Sequence, residues 1–110
     1  MFATLSAKVG SIGDNRLGGW HSYRASKAAL NMLIRCLAIE QARSHPQSVC
    51  VALHPGTVDT PLSRPFQANV ATEALFTPEQ AARQLLDIIA RVTPADSGCF
   101  IAWDGNPVPW

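Results

Sequence analysis

The stretch "HSYRASKAAL", His21 to Leu30, carries a tyrosine and a lysine four residues apart, Tyr23 and Lys27. On a helix that spacing stacks the two side chains on one face. A cation held beside a phenol favours its ionised form, and a phenol so tuned can hand a proton to a carbonyl oxygen or take one from an alcohol. The pair alone is also what any helix surface offers, so its meaning depends on the elements around it.

Those elements alternate. "MFATLS", residues 1–6, is short and apolar and reads as a buried strand. "GSIGDNRLGG", Gly10 to Gly19, holds four of the seven glycines and reads as a loop. From Ser22 to about Arg43, residues Ala25, Ala28, Ala29, Met32, Leu33, Cys36, Leu37 and Ile39 recur at steps of three and four, a broad apolar helical stripe. "VCVAL", Val49 to Leu53, is a continuous apolar run of the kind found in a parallel strand covered on both faces. It stops at "HPGTVDTP". Residues 57–76, with Pro61 and Pro65, form a long functional loop with at most a short helix. Thr77, Pro78 and Gln80 are N-cap, N1 and N3 of a second helix with a capping box, and Leu85, Leu86, Ile88, Ile89 and Val92 are its apolar face. "CFIAW" is a last short strand, and "DGNPVPW" a tail that is neither helix nor central strand.

Strand, helix, strand, loop, helix, strand indicates an α/β parallel sheet. Three strands and two main helices make about half of a doubly wound, Rossmann-type fold, which has six strands. The 110 residues therefore read as one domain portion, the C-terminal half of such a sheet.

Bulk properties narrow the function. The chain is 47% hydrophobic and 15% charged, a globular composition, and its net charge of +1 gives no pull toward nucleic acid or an anionic membrane. No segment has the length of a membrane span, and the N-terminus lacks the pattern of a signal peptide. Cys36, Cys50 and Cys99 are odd in number and unpaired in spacing. They read as small buried hydrophobes, with no disulfide and no metal site, as suits a reducing cytoplasm.

A Ser-bearing strand end, a glycine-rich loop, "YRASKAALN" opening a helix, and a strand ending in "PGTVDT" follow one another in that order. This ordering resembles the short-chain dehydrogenase/reductase family over essentially the whole chain. "GSIGDN", "GGW", "SYRASKAALN" and the final "WDG" are similar to its C-factor-like and sniffer-like carbonyl reductases.

The resemblance implies an NADP- or NAD-dependent oxidoreductase acting on a small carbonyl or alcohol. Tyr23 would be the proton donor, and Lys27 would tune it and hold the nicotinamide ribose. An upstream serine would orient the carbonyl. Ser11 lies twelve residues before Tyr23, near the family spacing, whereas Ser6 sits at the strand end where the family carries its serine, with Ala7 in the second position of the frequent Ser-Ser pair. Ser6 is preferred slightly on strand position and Ser11 stays open. Pro55 and Gly56 would let backbone approach the nicotinamide, and the Val58 backbone and Thr60 hydroxyl would pair with its carboxamide. Leu62 to Phe76 would be a substrate lid whose Phe66 and Phe76 suggest an apolar substrate. His54 reads as a packed strand-end residue and His21 as a surface or supporting one. Trp103 and Trp110 read as packing, and Trp20 as packing or as lining the substrate entrance.

No G-x-x-x-G-x-G or G-x-G-x-x-G follows any strand, and the family's Asn-Ala-Gly element is absent. The nucleotide-binding N-terminal half would thus lie outside this chain. Two readings follow: the catalytic portion of a reductase, or a non-catalytic remnant that pairs, as a homodimer or with a full-length relative, through helix 23–43.

Overall fold

The computed structural model describes residues 1–110. Strands β1 (Phe2–Leu5), β2 (Cys50–His54) and β5 (Phe100–Ala102) form one parallel sheet in the order β1-β2-β5. Phe2 pairs with Cys50 and Leu5 with Leu53 on one side, and Ala52 with Phe100 on the other. Helices α1 (His21–Ser44) and α2 (Pro78–Arg91) cover opposite faces.

The alternation of β2 sorts the core into these two layers. Val49, Val51 and Leu53 turn to Ile88, with Ile101 of β5 beside them. Ala52 and Phe100 turn the other way, to Ile34 of α1 and Val108 of the tail. All five residues of β2 are shielded on both faces, His54 least. The expected α/β architecture is therefore present, as a helix–sheet–helix sandwich of three main strands.

Four expectations need correction. β1 is a strand but an exposed one: it has a single neighbour, and Phe2 and Leu5 remain 52% and 56% accessible. The stripe on α1 is broader than one sheet can cover. Asn31, Ile34 and Ala38 are its buried residues, while Ala25, Ala29, Met32, Leu33, Cys36 and Ile39 face outward. Cys36 is accordingly exposed, and only Cys50 is buried, with Cys99 between. Leu86 of α2 likewise points to solvent, since α2 meets the sheet through Ile88, with Leu85, Ile89 and Val92 beside it.

The α2 start is as expected, with Thr77 Oγ1 accepting the Gln80 amide at 3.2 Å and Gln80 Oε1 accepting the Thr77 amide at 2.9 Å. Residues 57–76 contain no α-helix. They leave along β3 (Thr57–Val58), pass through single 3-10 turns at Arg64–Phe66 and Thr72–Ala74, and return along β4 (Leu75–Phe76), parallel to β3. The tail is more ordered than its prolines suggest. It turns back at Gly105, bridges Ile101 to Pro107 in antiparallel sense, and buries Val108, whose amide donates to Phe100 O at 2.8 Å. Proline is tolerated there because the tail is a sheet edge.

Candidate functional site

The amino end of α1 and the carboxyl ends of β1 and β2 meet on one side of the sheet, the end at which open α/β sheets bind ligands. Gly18 and Gly19 have φ of 64° and 72°, and Trp20, the helix N-cap, has φ 49°. This left-handed run turns the chain sharply into α1. Arg24 holds it: the guanidinium donates to Gly19 O at 2.9 Å, Gly18 O at 3.0 Å and Val9 O at 3.1 Å.

Tyr23 is in the first turn of α1 and is 44% exposed. Lys27 follows one turn later, its ammonium 5.8 Å from the Tyr23 ring centroid. The same ammonium donates to Leu5 O at 3.3 Å. In β1 the amides of Phe2 and Ser6 donate to β2, so by alternation the Leu5 peptide faces the open edge. Lys27 thus ties the helix to the end of β1. The turn after β1 sits directly on this residue: a Cβ at Gly10 would lie 2.6 Å from Lys27 Cβ. Sequence reasoning took Gly10 for an ordinary loop glycine, since nothing in its neighbours marks the contact.

The two candidate serines are placed differently. Ser6 is 4% exposed and donates to Asn31 Oδ1 at 2.6 Å. Ser11 is fully buried, donates to Pro109 O, and accepts the Asp14 amide at 3.1 Å. Each hydroxyl has one proton, and in both cases it is directed to another protein oxygen. Ser11 locks the loop to the tail. Ser6 is linked to the Lys27 helix through Asn31, a residue the motif "YRASKAALN" contains but to which no role was given.

The "HPGTVDTP" turn carries the remaining candidates. Gly56 has φ 77°, and a Cβ there would lie 2.6 Å from Phe76 Cε2 and 3.0 Å from Trp103 Cδ1. Glycine is required by these two rings, which themselves meet edge to face at 4.7 Å. Pro55 is half-buried beside it. Val58 O accepts the Ser63 hydroxyl. The Asp59 amide donates to Phe76 O, so by alternation the Val58 amide faces away from β4. The Thr60 amide donates to Ser63 Oγ at 3.3 Å, and the Thr60 hydroxyl makes no hydrogen bond within the chain. The turn thus leaves one outward amide and one free hydroxyl.

His54 closes the end of β2. Its Nδ1 accepts the Lys8 amide at 3.2 Å, which places the ring proton on Nε2 and fastens the turn after β1 to the turn after β2. Burial, aided by the Lys8 charge and opposed by Asp104 and Asp14, lowers its pKa to about 4. The unfolded chain, with an imidazole near 6.5, takes up the proton first. This contribution is whole above pH 6.5, is lost as pH falls, and levels off below about 4. It amounts to about 3 kcal/mol at most. Melting midpoints should fall between pH 6.5 and 4, and His54→Asn should flatten that part of the curve. An unchanged slope in the variant would assign the acid sensitivity elsewhere.

A family model described as short chain dehydrogenase matches residues 8–71, over half of the sequence. The chain belongs to the short-chain dehydrogenase family. Among curated relatives, a 1-hydroxy-2-glutathionyl-2-methyl-3-butene dehydrogenase of Rhodococcus sp. (strain AD45) is 41% identical over 96% of this chain and 45% of its own length. The C-signal protein of Myxococcus xanthus is 35% identical over 98% of this chain and 60% of its own. The chain thus spans about half the length of these curated relatives. Two solved structures superpose over 98% of it with TM-scores of 0.81: carbonyl reductase Sniffer of D. melanogaster, at 30% identity and 41% of that chain, and an NADPH-bound carbonyl reductase from chicken fatty liver, at 34% identity and 42% of that chain. No helix here is long and apolar enough to cross a membrane.

Proposed function

We propose that residues 1–110 form the C-terminal, substrate- and nicotinamide-binding portion of a cytoplasmic NAD(P)-dependent carbonyl reductase, with NADP the preferred cofactor. The observation that carries this reading is the placement of Tyr23 and Lys27 on successive turns at the carboxyl end of a parallel sheet. Tyr23 gives its proton to the carbonyl oxygen during reduction and recovers it from the alcohol in the reverse direction. Lys27 presents positive charge to the phenol and to ribose hydroxyls. Ser6 orients the carbonyl once its proton leaves Asn31, and Ser11 keeps a structural part. Pro55 and Gly56 shape the turn, whose Val58 amide and Thr60 hydroxyl hold the carboxamide.

A bound NADPH would supply the hydride. The residues present fit its nicotinamide end; they do not fit its diphosphate, for which no strand-to-helix turn here carries the glycine pattern. A complete dinucleotide site therefore draws on residues beyond this chain or from a second one.

A second reading has its own observation. The outward face of α1, with Met32 and Leu33 63% and 65% exposed, suits a chain that pairs with a copy or a longer relative without catalysis. Titrating the 110-residue chain with reduced nicotinamide mononucleotide, the part of NADPH that needs no diphosphate turn, and following nucleotide fluorescence and the melt, separates the two. Saturable binding with a raised melting midpoint supports the reductase. Reduction of a carbonyl probe should then fall by about 10²- to 10⁴-fold in Tyr23→Phe while binding persists. A cooperative melt that the mononucleotide does not move would leave the pairing module.

A further inference from the structure

The first amides of a helical turn find no carbonyl within it and need a cap from outside. The single 3-10 turn Lys8–Gly10, which follows β1, has this need, because Ala7 before it offers no side-chain acceptor. Its cap comes from 46 positions away, at the end of β2, where His54 Nδ1 accepts the Lys8 amide at 3.2 Å. An imidazole nitrogen accepts a hydrogen bond only while it carries no proton. The cap therefore exists on neutral His54 alone.

The capped turn bears directly on α1. Gly10, its last residue, lies so close that a Cβ would stand 2.6 Å from Lys27 Cβ and 2.9 Å from Lys27 C. Val9 O, in the middle of the turn, accepts Arg24 Nη1 at 3.1 Å. The turn is thus fitted against the residue after Tyr23 and against Lys27 itself. From that seat Lys27 reaches Leu5 O at 3.3 Å, with its ammonium 5.8 Å from the Tyr23 ring centroid. The end of β2, the turn and Lys27 are linked contact by contact.

We infer that His54 is a positioning residue for Lys27: its neutral ring caps the Lys8–Gly10 turn, the turn seats Lys27 beside Tyr23, and a proton added to His54 uncaps the turn and unseats Lys27. The consequence for proton transfer rests on the reductase reading, whereas the seating of Lys27 does not. Charged groups face the ring from two segments, Lys8 and Asp14 on the loop after β1 and Asp104 beyond β5. Burial opposes the added proton most, Lys8 adds to this, and the two carboxylates favour it. The ring accordingly keeps its cap through neutral pH and gives it up around pH 4, since its pKa is lowered to about 4.

The test is a nuclear magnetic resonance titration of the 110-residue chain from neutral pH downward, following the His54 ring, the Lys8 amide and the Lys27 methylene next to the ammonium. The Lys8 and Lys27 signals should move with the His54 midpoint. His54→Asn places a carboxamide oxygen, an acceptor that does not titrate, on the same Cγ that bears Nδ1. It should keep the neutral-pH signals and abolish their movement. His54→Leu offers no acceptor and should show at neutral pH the Lys27 signal that the parent reaches only in acid. Lys27 signals that ignore the His54 midpoint, that still move in His54→Asn and so follow Asp14 or Asp104, or that keep the parent position in His54→Leu would each overturn the inference. If acid unfolds the parent before His54 is protonated, His54→Leu at neutral pH decides; if that variant does not fold, the His54→Asn titration does. Failure of the parent to bind reduced nicotinamide mononucleotide would overturn the reductase reading and leave this result standing.

Discussion

Gly56→Ala should cost this chain about 2–5 kcal/mol, combining left-handed strain with overpacking. The added methyl would begin 2.6 Å from the Phe76 ring and 3.0 Å from Trp103, and the rings cannot retreat together because they pack on each other at 4.7 Å. Gly105 separates the two causes. Its φ is 86° but nothing lies within 4 Å of its missing Cβ, so Gly105→Ala should show the strain alone. Urea midpoints with an unchanged slope are the measurement. Equal losses in the two variants would mean that the Phe76–Trp103 contact gives way freely and that Gly56 is present for its backbone angle only.

Phe100→Ala should be as damaging, at about 3–5 kcal/mol. Phe100 is 2% exposed, fills the layer between Ile34, Ala52 and Val108, and stacks on Trp110 with centroids 5.6 Å apart. Only 18 of the 110 residues are buried, so one ring is a large part of the core. Against a typical stability of about 5–15 kcal/mol, the variant should melt tens of degrees lower or without cooperativity. Leu86→Ala, on the exposed side of α2, should stay within about 0.5 kcal/mol of the parent. A Phe100 variant that melts like the parent would show that the α1 layer adds little to stability.

Much of this was legible because local rules agreed. β2 is apolar without interruption because both its faces are covered, and Thr77, Pro78 and Gln80 announce a helix start through backbone chemistry alone. Tyr23 and Lys27 could be paired because a helix fixes which spacings meet. What could not be read depended on partners far away in sequence. The alanine-rich stripe of α1 does not say which of its positions the sheet will cover, so Met32, Leu33 and Cys36 were placed inward by pattern and lie outward. The serines illustrate the same limit: only Asn31 and Pro109 reveal what Ser6 and Ser11 are bonded to.

The tie between the tail and the glycine loop bears on the order in which the molecule assembles. Ser11 bonds Pro109 across 98 positions, and the Gly13 amide donates to Trp110 O at 2.8 Å. Contacts of such separation close late, after the ends have been brought together by other means. Here the means is Val108 docking on β5, which itself requires the sheet. Amide exchange at Gly13 should therefore report a sub-global opening that releases loop and tail together, while the amides of β2 open only with the whole chain. The loop that leads into α1 should then loosen before the sheet does.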